Sequence, residues 1–167
     1  MCSGTESPLL ALDMVQRAGL DFEFIHLFSC EIEPFKQAYI ERTFSPPILF
    51  RDITELSKKQ AHTAYGALKK VPSGGDLLIA GTSCVDFSRL NSKRKGLDDE
   101  GQSGRTFRGL LGYVKNQRPT FVILENIKSA PWEEMEKRLV ALNYEAFRVD
   151  VDTKDISTSR KHVSVDT

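Results

Sequence analysis

The segment that decides the fold is residues 76–88, which read DLLIAGTSCVDFS. A short apolar run ends there in a turn of small residues, and this turn contains Cys84. Continuous apolar runs of this length, bounded by turn residues, are typical of strands that are covered on both faces of a sheet. The segment therefore predicts a buried strand that brings a cysteine to the edge of a sheet.

The rest of the chain alternates strand-sized apolar runs with segments of helical periodicity. Pro8, Pro34 and Pro131 lie where the first turn of a helix tolerates proline. The alternation predicts an α/β fold, with a mostly parallel sheet and helices on both of its faces. The predicted strands are residues 24–28, 48–50, 77–80, 121–124 and 146–151, and the predicted helices are residues 8–17, 34–42, 58–68, 105–115 and 132–142.

Length and composition suit one globular domain. The chain has 167 residues, of which 40% are hydrophobic and 28% are charged. No apolar run is long enough to span a bilayer, and the first residues do not resemble a signal peptide. The three cysteines are widely spaced, which argues against a disulfide framework or a zinc site. We therefore expect an intracellular protein with no membrane partner and no metal.

The charge pattern alone gives no support to a nucleic-acid partner, because the net charge is zero. One basic cluster lies in the long polar stretch of residues 81–104 and just beyond it, and its simplest interpretation is a solvated loop. However, ligands of open α/β sheets bind beyond the carboxyl ends of strands, where this stretch begins. The cluster consists of Arg89, Lys93, Arg94 and Lys95, with Arg105 and Arg108 beyond it.

Besides a catalytic thiol, Cys84 could be one of two other things. A lone cysteine is most often an inert core residue. A phosphatase loop would need five residues between its cysteine and arginine, and the spacing from Cys84 to Arg89 is one residue short. We therefore reject the phosphatase interpretation.

A second apolar strand also ends in polar residues. Residues 119–127 read PTFVILENI, so that Glu125 and Asn126 follow the apolar run directly. If the two strands are parallel neighbours, Glu125 and Cys84 lie at the same edge of the sheet. A thiol nucleophile facing a carboxylic acid suits attack on a ring that needs protonation. Taken alone, the Glu-Asn pair would be read as the cap of a strand.

Together these motifs resemble those of cytosine-5 DNA methyltransferases. The segments GTSCVDFS (residues 81–88) and ENI (residues 125–127) are similar to the family's Pro-Cys-Gln and Glu-Asn-Val motifs, in a variant typical of fungal members. Residues 101–104, GQSG, and the helix after them resemble the connection between these motifs. The resemblance implies a Rossmann-like methyltransferase fold and methyl transfer from S-adenosylmethionine to carbon 5 of a cytosine in DNA.

The resemblance assigns four catalytic residues. It implies that Cys84 attacks carbon 6 of a cytosine flipped out of the duplex, and that Glu125 holds or protonates ring nitrogen 3. Asn126 would fix the local geometry. Arg160 would contact the base or its surroundings.

The same resemblance implies a binding site for the methyl donor. Residues 2–6, CSGTE, correspond to a Phe-x-Gly-x-Gly loop. Glu31 matches an acid that binds the ribose hydroxyls, and Asp52 matches the residue that binds the adenine amino group. The implied donor-binding residues are Ser3, Gly4, Thr5, Glu6, Glu31, Ile32, Asp52, Ile53 and Gly81.

The chain departs from the family pattern at several positions. Ser83 and Val85 flank the nucleophile, and Glu6 stands where the family has its second glycine. The Gln-x-Arg-x-Arg motif is reduced to TSRKH at residues 158–162, where only Arg160 is kept. The resemblance predicts that residues 1–167 are one partial catalytic domain, without the first strand and without a target-recognition region.

The absent first strand has a consequence for stability. It would leave two strand edges unpaired at the centre of the sheet, so the chain alone should be poorly folded unless residues such as 162–165 fill the gap.

The resemblance implies DNA methylation in the nucleus, but the sequence also allows other functions. A catalytically impaired relative could bind S-adenosylmethionine or a partner without turnover, which the altered arginine motif favours and the intact Cys84 and Glu125 oppose. The motifs also suit methylation of cytosine in RNA. A nicotinamide-dependent oxidoreductase is disfavoured, because the chain lacks Gly-x-Gly-x-x-Gly.

Overall fold

The computed structural model describes residues 1–151 of the chain. Within them the elements alternate in the manner of a mixed α/β domain. The helices are α1 (Ser7–Arg17), α2 (Pro34–Phe44), α3 (Gln102–Gln117) and α4 (Trp132–Val140), with a short 3-10 helix at Ile53–Glu55. The strands are β1 (Ser29–Cys30), β2 (Leu49–Phe50), β3 (Gln60–His62), β4 (Leu68–Lys70), β5 (Leu77–Gly81) and β6 (Phe121–Glu125).

Two parallel strand pairs carry the fold. Strands β5 and β6 are in register from Leu77 opposite Phe121 to Gly81 opposite Glu125. Strands β1 and β2 pair over two residues each. The α/β class with parallel pairing is therefore confirmed, but in the described residues the regular pairing forms separate two-stranded sheets rather than one continuous sheet.

The first three residues lie between the two parallel pairs. The amino group of Met1 donates to the carbonyl of Ile79 at 2.6 Å, and the amide of Gly81 donates to the carbonyl of Met1 at 3.2 Å. On the other side, the amide of Ser3 donates to the carbonyl of Cys30 at 3.0 Å. The spatial order is thus β2, β1, residues 1–3, β5 and β6. Positive φ angles at Cys2 and Gly4 explain why this segment forms no regular strand.

These hydrogen bonds correct one expectation. The slot between β1 and β5 was expected to have two unpaired edges, yet residues 1–3 bond to both strands. Residues 162–165, proposed as an alternative filler, lie outside the described residues.

The predicted helix over residues 58–68 is wrong. Strands β3 and β4 form an antiparallel hairpin there, and Gly66 in its turn has a φ of 80°. The segment is rich in Ala, Lys and Gln, which favour helices, but helix propensity is a weak preference that packing overrides. Glu55 holds this hairpin in place. Its carboxylate accepts hydrogen bonds from the backbone amide and the ring of His62, each at 2.8 Å.

Two predicted strands are also wrong. Residues 24–28 and 146–151 have no strand pairing, and extended pairing on this side begins only at Ser29. Several of their apolar side chains are exposed, with Ile25 at 85% and Phe147 at 86%, whereas Phe28 packs against the core. An apolar run becomes a strand only where a neighbouring backbone pairs with it, and none of the described residues pairs with these two.

Helix α3 anchors the core beneath the parallel strands. Phe107, Leu110 and Val114 on this helix are fully buried. Gly109 permits a close approach, because a Cβ atom there would lie 3.0 Å from the carbonyl oxygen of Ile53. This packing fixes α3 against the 3-10 helix, and its amino-terminal end therefore has a defined place beside the loop that follows β5.

Candidate functional site

The carboxyl ends of β5 and β6 place the predicted nucleophile and acid on one edge. Gly81 and Glu125 are the last paired residues of the two strands, and Cys84 follows three positions after Gly81. A Cβ atom at Gly81 would lie 3.2 Å from the Glu125 carboxylate oxygen Oε2. The carboxylate therefore lies against the start of the Cys84 loop, as the strand pairing predicted.

Asn126 ties the two strand ends together. Its side-chain Nδ2 donates to both the carbonyl oxygen and the hydroxyl oxygen of Thr82, each at 3.0 Å. Its Oδ1 accepts from the amide of Ile127 at 2.9 Å. The predicted role of Asn126 in local geometry agrees with these contacts, because they fix the turn just before Cys84.

Cys84 begins a tight turn and remains half-buried. The amides of Phe87 and Ser88 both donate to the carbonyl oxygen of Cys84, at 3.0 and 3.1 Å. The Phe87 side chain is buried, and its carbonyl accepts from the hydroxyl of Ser129 at 2.9 Å. The thiol is free of any disulfide. The turn thus presents a reduced, reachable thiol beside the Glu125 edge.

Three residues that hold this turn were missed by the sequence analysis. Asp86 and Ser103 exchange two hydrogen bonds, and Thr106 accepts from the amide of Ser83 at 3.2 Å. The local signals were that Asp86 lies two positions after Cys84 and that Ser103 belongs to the GQSG segment, residues 101–104. Ser103 and Thr106 are on α3, and no sequence pattern predicts that they contact the Cys84 turn.

On the donor side, the Gly4 loop and Glu31 are in direct contact. The amide of Gly4 donates to Glu31 Oε2 at 2.7 Å. The amides of Ile32 and Glu33 both donate to Glu31 Oε1 at 3.0 Å. The carboxylate is 5% exposed and is oriented by three backbone amides. The structure therefore brings together the two features that the resemblance had assigned to the donor.

Asp52 lies near the same loop. Its Oδ1 accepts from the amide and the hydroxyl of Thr54, each at 2.8 Å, and so begins the 3-10 helix. Burial raises the pKa of the Cys2 thiol to about 11. The terminal amino group opposes this pKa shift, whereas the negative charges of Glu31 and Asp52 increase it.

Glu6 has an unusual environment at the start of α1. It has a φ of 55° and is 5% exposed, and its oxygen Oε1 is buried and has no hydrogen-bond partner among residues 1–151. A cavity of about 900 Å³ adjoins it. The predicted site residues that line this cavity are Ser3, Gly4, Thr5, Glu6, Gly81 and Glu125.

The remaining predicted positions lie elsewhere. Ile32 is exposed, whereas the side chain of Ile53 is packed in the hydrophobic core. None of Ile32, Ile53, Glu31 and Asp52 lines the 900 Å³ cavity.

A second cavity of about 1200 Å³ lies along β6 and residues 143–151. Its lining includes Asn126 but neither Cys84 nor Glu125. Arg160 and the rest of the TSRKH motif lie outside the described residues.

Two members of the basic cluster donate hydrogen bonds to backbone carbonyls. Arg94 donates to the carbonyl of Ser129 at 3.3 Å, and Arg108 donates to the carbonyls of Leu97 and Asp99. Arg94 is nevertheless exposed, as are Arg89, Lys93, Lys95 and Arg105. The loop after Cys84 is thus fastened to the domain while some of its cations face solvent.

Within residues 1–151, no helix is long and apolar enough to cross a membrane. In the same residues, no group of three or more His, Cys, Asp or Glu side chains is arranged to hold a metal ion.

The family follows from comparison with known proteins. The model of the C-5 cytosine-specific DNA methylase family matches residues 1–145. The chain therefore belongs to the C-5 cytosine-specific DNA methylases, and the resemblance seen in its motifs is confirmed.

Two curated relatives carry the same name, DNA (cytosine-5-)-methyltransferase DMT5. The protein from Cryptococcus neoformans var. grubii is 58% identical over 160 residues, which cover 93% of this chain and 7% of the relative. The protein from Verticillium dahliae is 36% identical over 211 residues, covering 93% of this chain and 9% of the relative. Both organisms are fungi, as the motif variant indicated. The chain spans less than a tenth of the length of these relatives.

Proposed function

We propose that this chain is part of the catalytic domain of an enzyme that methylates carbon 5 of cytosine in DNA, with S-adenosylmethionine as the donor. The observation that carries the proposal is the common edge of β5 and β6, where the Cys84 loop and the Glu125 carboxylate meet. Membership of the family supplies the substrate class.

Cys84 would act as a covalent nucleophile. Its sulfur forms a bond to carbon 6 of the cytosine while Glu125 gives a proton to ring nitrogen 3, so that the electron pair of the former double bond enriches carbon 5. Carbon 5 then takes the methyl group. Loss of the carbon 5 proton to water and cleavage of the S–C6 bond restore the C5=C6 double bond and release the Cys84 thiolate, while the proton on ring nitrogen 3 returns to the Glu125 carboxylate and leaves the base neutral.

The donor-side residues fit S-adenosylmethionine. When bound, this molecule supplies a methyl group from its sulfonium sulfur. Glu31 Oε2 accepts one backbone hydrogen bond and keeps acceptor capacity for a ribose hydroxyl, because a carboxylate oxygen can accept two. Within residues 1–151 the hydrogen bonds of the Asp52 carboxylate use only Oδ1, which leaves Oδ2 for the adenine amino group. The partnerless Oε1 of Glu6 fits the positively charged amino group of the donor.

The proposed partner is duplex DNA with its target cytosine flipped out. A base inside the stack cannot reach a thiol in a turn, so the enzyme must extrude it. The exposed cations that follow Cys84 would contact phosphates on either side of that base. We place the enzyme in the nucleus, where its substrate is.

The proposal is tested by methyl transfer from tritiated S-adenosylmethionine to duplex DNA. We expect Cys84→Ser to lose transfer by several orders of magnitude, since removing a covalent nucleophile typically costs about 10⁴- to 10⁶-fold, while donor affinity measured by calorimetry stays unchanged. Cys30→Ala serves as the matched cysteine control and should keep its activity, because Cys30 is packed in the hydrophobic core and has no proposed contact with base or donor. Transfer by Cys84→Ala would contradict the proposed mechanism.

A further inference from the structure

A reciprocal pair of hydrogen bonds joins the Cys84 turn to helix α3. The amide of Asp86 donates to the hydroxyl of Ser103 at 2.9 Å, and the amide of Ser103 donates to Asp86 Oδ2 at 2.8 Å. Both side chains are buried, with Ser103 at 0% and Asp86 at 7% exposed. The Asp86 carboxylate thus lies at the amino-terminal end of α3, where the helix dipole stabilises negative charge.

The surrounding backbone is shaped around this pair. A Cβ atom at Gly101 would lie 2.7 Å from Asp86 Cγ, so the position before α3 has room only for glycine. Gly104 is equally close to its surroundings, since a Cβ atom there would lie 2.7 Å from the carbonyl oxygen of Leu97. Any larger residue at position 101 would push Asp86, and with it the Cys84 turn, away from α3.

A second contact lies on the other side of the nucleophile. The amide of Ser83 donates to Thr106 Oγ1 at 3.2 Å, and this hydroxyl donates to the carbonyl of Ser103 at 3.1 Å. Cys84 is therefore held between two backbone amides, at positions 83 and 86, that both bond to the first turns of α3. Since α3 is anchored by the fully buried side chains of Phe107 and Leu110, the turn is fixed to the hydrophobic core of the domain.

We infer that Asp86 and Ser103 are positioning residues for Cys84 in the proposed cytosine methylation. They contact neither base nor donor in the proposed reaction, and act by holding the turn from which the thiol approaches carbon 6. The inference rests on the proposed function for its chemistry. Displacing a reacting group by about 1 Å costs on the order of 100-fold in rate, so loosening this turn should slow bond formation without affecting donor binding.

The experiment follows the rate at which Cys84 forms a covalent adduct with duplex DNA containing 5-fluorocytosine, in the full protein. Fluorine at carbon 5 cannot leave as a cation, so the adduct persists and can be counted on a denaturing gel. We expect Asp86→Ala and Ser103→Ala to slow adduct formation about 10- to 100-fold, with the donor Kd within about twofold of the native value. Asp86→Asn should recover most of the rate, because its amide oxygen can still accept from Ser103.

The matched control is Asp98→Ala on the same loop. Asp98 is also an aspartate, but its side chain is 79% exposed and it pairs with Arg138 at 2.7 Å on the outside of the domain. This variant should form the adduct at the native rate. An equal loss in Asp98→Ala would show that any weakening of the loop slows the reaction, and would overturn the assignment to Asp86 and Ser103.

A second readout needs neither DNA nor donor. Alkylation of the native protein by iodoacetamide, resolved by peptide, should become severalfold faster at Cys84 in Asp86→Ala, because the half-buried thiol gains freedom. Cys30, which is 1% exposed, should stay unreactive and so excludes global unfolding. Slower adduct formation with faster alkylation is the signature of lost positioning.

Each outcome then separates the two hypotheses. If the native protein forms no adduct, the proposed function fails, while the alkylation rates still test the positioning. If Asp86→Ala unfolds, then Asp86→Asn and Ser103→Ala carry the test. Unchanged adduct and alkylation rates in the folded variants would overturn the inference.

Discussion

The catalytic edge and the donor edge of this domain are built differently. At the catalytic edge, β5 and β6 pair over five residues each, and Asn126, Asp86 and Thr106 all have hydrogen-bond partners. The hydroxyl of Ser83 is the one buried exception there among the described residues. At the donor edge, β1 and β2 pair over two residues each, and Cys2, Gly4 and Glu6 all have positive φ angles.

This difference indicates where ligand binding should change the protein. The catalytic edge is organised mostly by its own contacts, and the Ser83 hydroxyl is its one unpaired buried side-chain group among the described residues. The donor edge includes a buried carboxylate oxygen without a partner, and such a group costs free energy until something bonds to it. We therefore expect donor binding to stabilise residues 1–6 more than the Cys84 turn.

The largest effect among the variants below is expected at the catalytic edge, from Glu125→Gln. The amide keeps the size of the side chain but cannot give a proton to ring nitrogen 3. General acid catalysis typically contributes about 10²- to 10⁴-fold, so the rate of methyl transfer should fall within that range. Single-turnover kinetics measures this rate, and the donor Kd should not change. A Glu125→Gln enzyme within about twofold of the native rate would remove the acid from the mechanism.

A smaller effect is expected at the donor edge, from Glu31→Ala. The variant removes a nearly buried carboxylate that accepts from three backbone amides, and with it the proposed acceptor for the ribose. Hydrogen bonds to charged groups contribute about 1.5–3 kcal/mol, which corresponds to a ten- to hundredfold weaker donor Kd by calorimetry. Because the Gly4 amide also loses its partner, the melting temperature should fall too.

The control for that variant is a donor fragment that lacks the ribose hydroxyls. Native protein and Glu31→Ala should bind 2′,3′-dideoxyadenosine derivatives of the donor equally. Without the ribose hydroxyls, neither complex can form the proposed hydrogen bond between Glu31 and the ribose. If Glu31→Ala weakens both ligands alike, the carboxylate acts only through the Gly4 loop.

The smallest effect is expected in the hairpin beside the donor edge. Burial raises the pKa of Glu55, but hydrogen bonds from the amide and ring of His62 and from Arg51 outweigh it and lower the pKa to about 2. An unfolded glutamate titrates near pH 4.3. The carboxylate thus contributes stability that is fully present above about pH 4.3 and is lost as the pH falls through about 2. Melting temperatures of native protein and Glu55→Gln should differ at pH 7 and converge near pH 2.

The sequence predicted the catalytic edge better than the rest of the fold, for a physical reason. An apolar run followed by Cys84 and another followed by Glu125 are local signals, and parallel pairing brings their ends together. The hairpin at residues 60–70 was missed because its residues favour a helix locally, while the contact between Glu55 and His62 is tertiary. The Asp86–Ser103 pair was missed because its members are 17 positions apart and neither is unusual alone.

The position of residues 1–3 was also beyond the sequence argument. Their alignment with a donor-binding loop was predicted, but their hydrogen bonds to both β1 and β5 depend on positive φ angles at Cys2 and Gly4. A non-glycine residue with such an angle is uncommon and has no sequence signature of its own.

The most direct test of the central claim is to find which atom of the protein bonds to cytosine. Duplex DNA containing 5-fluorocytosine is incubated with the protein and S-adenosylmethionine, the denatured conjugate is digested, and mass spectrometry locates the modified residue. We predict a conjugate at Cys84 alone, absent from Cys84→Ser and retained in Cys30→Ala. A conjugate at another residue, or transfer of methyl groups by the full protein with no conjugate at Cys84, would contradict the account.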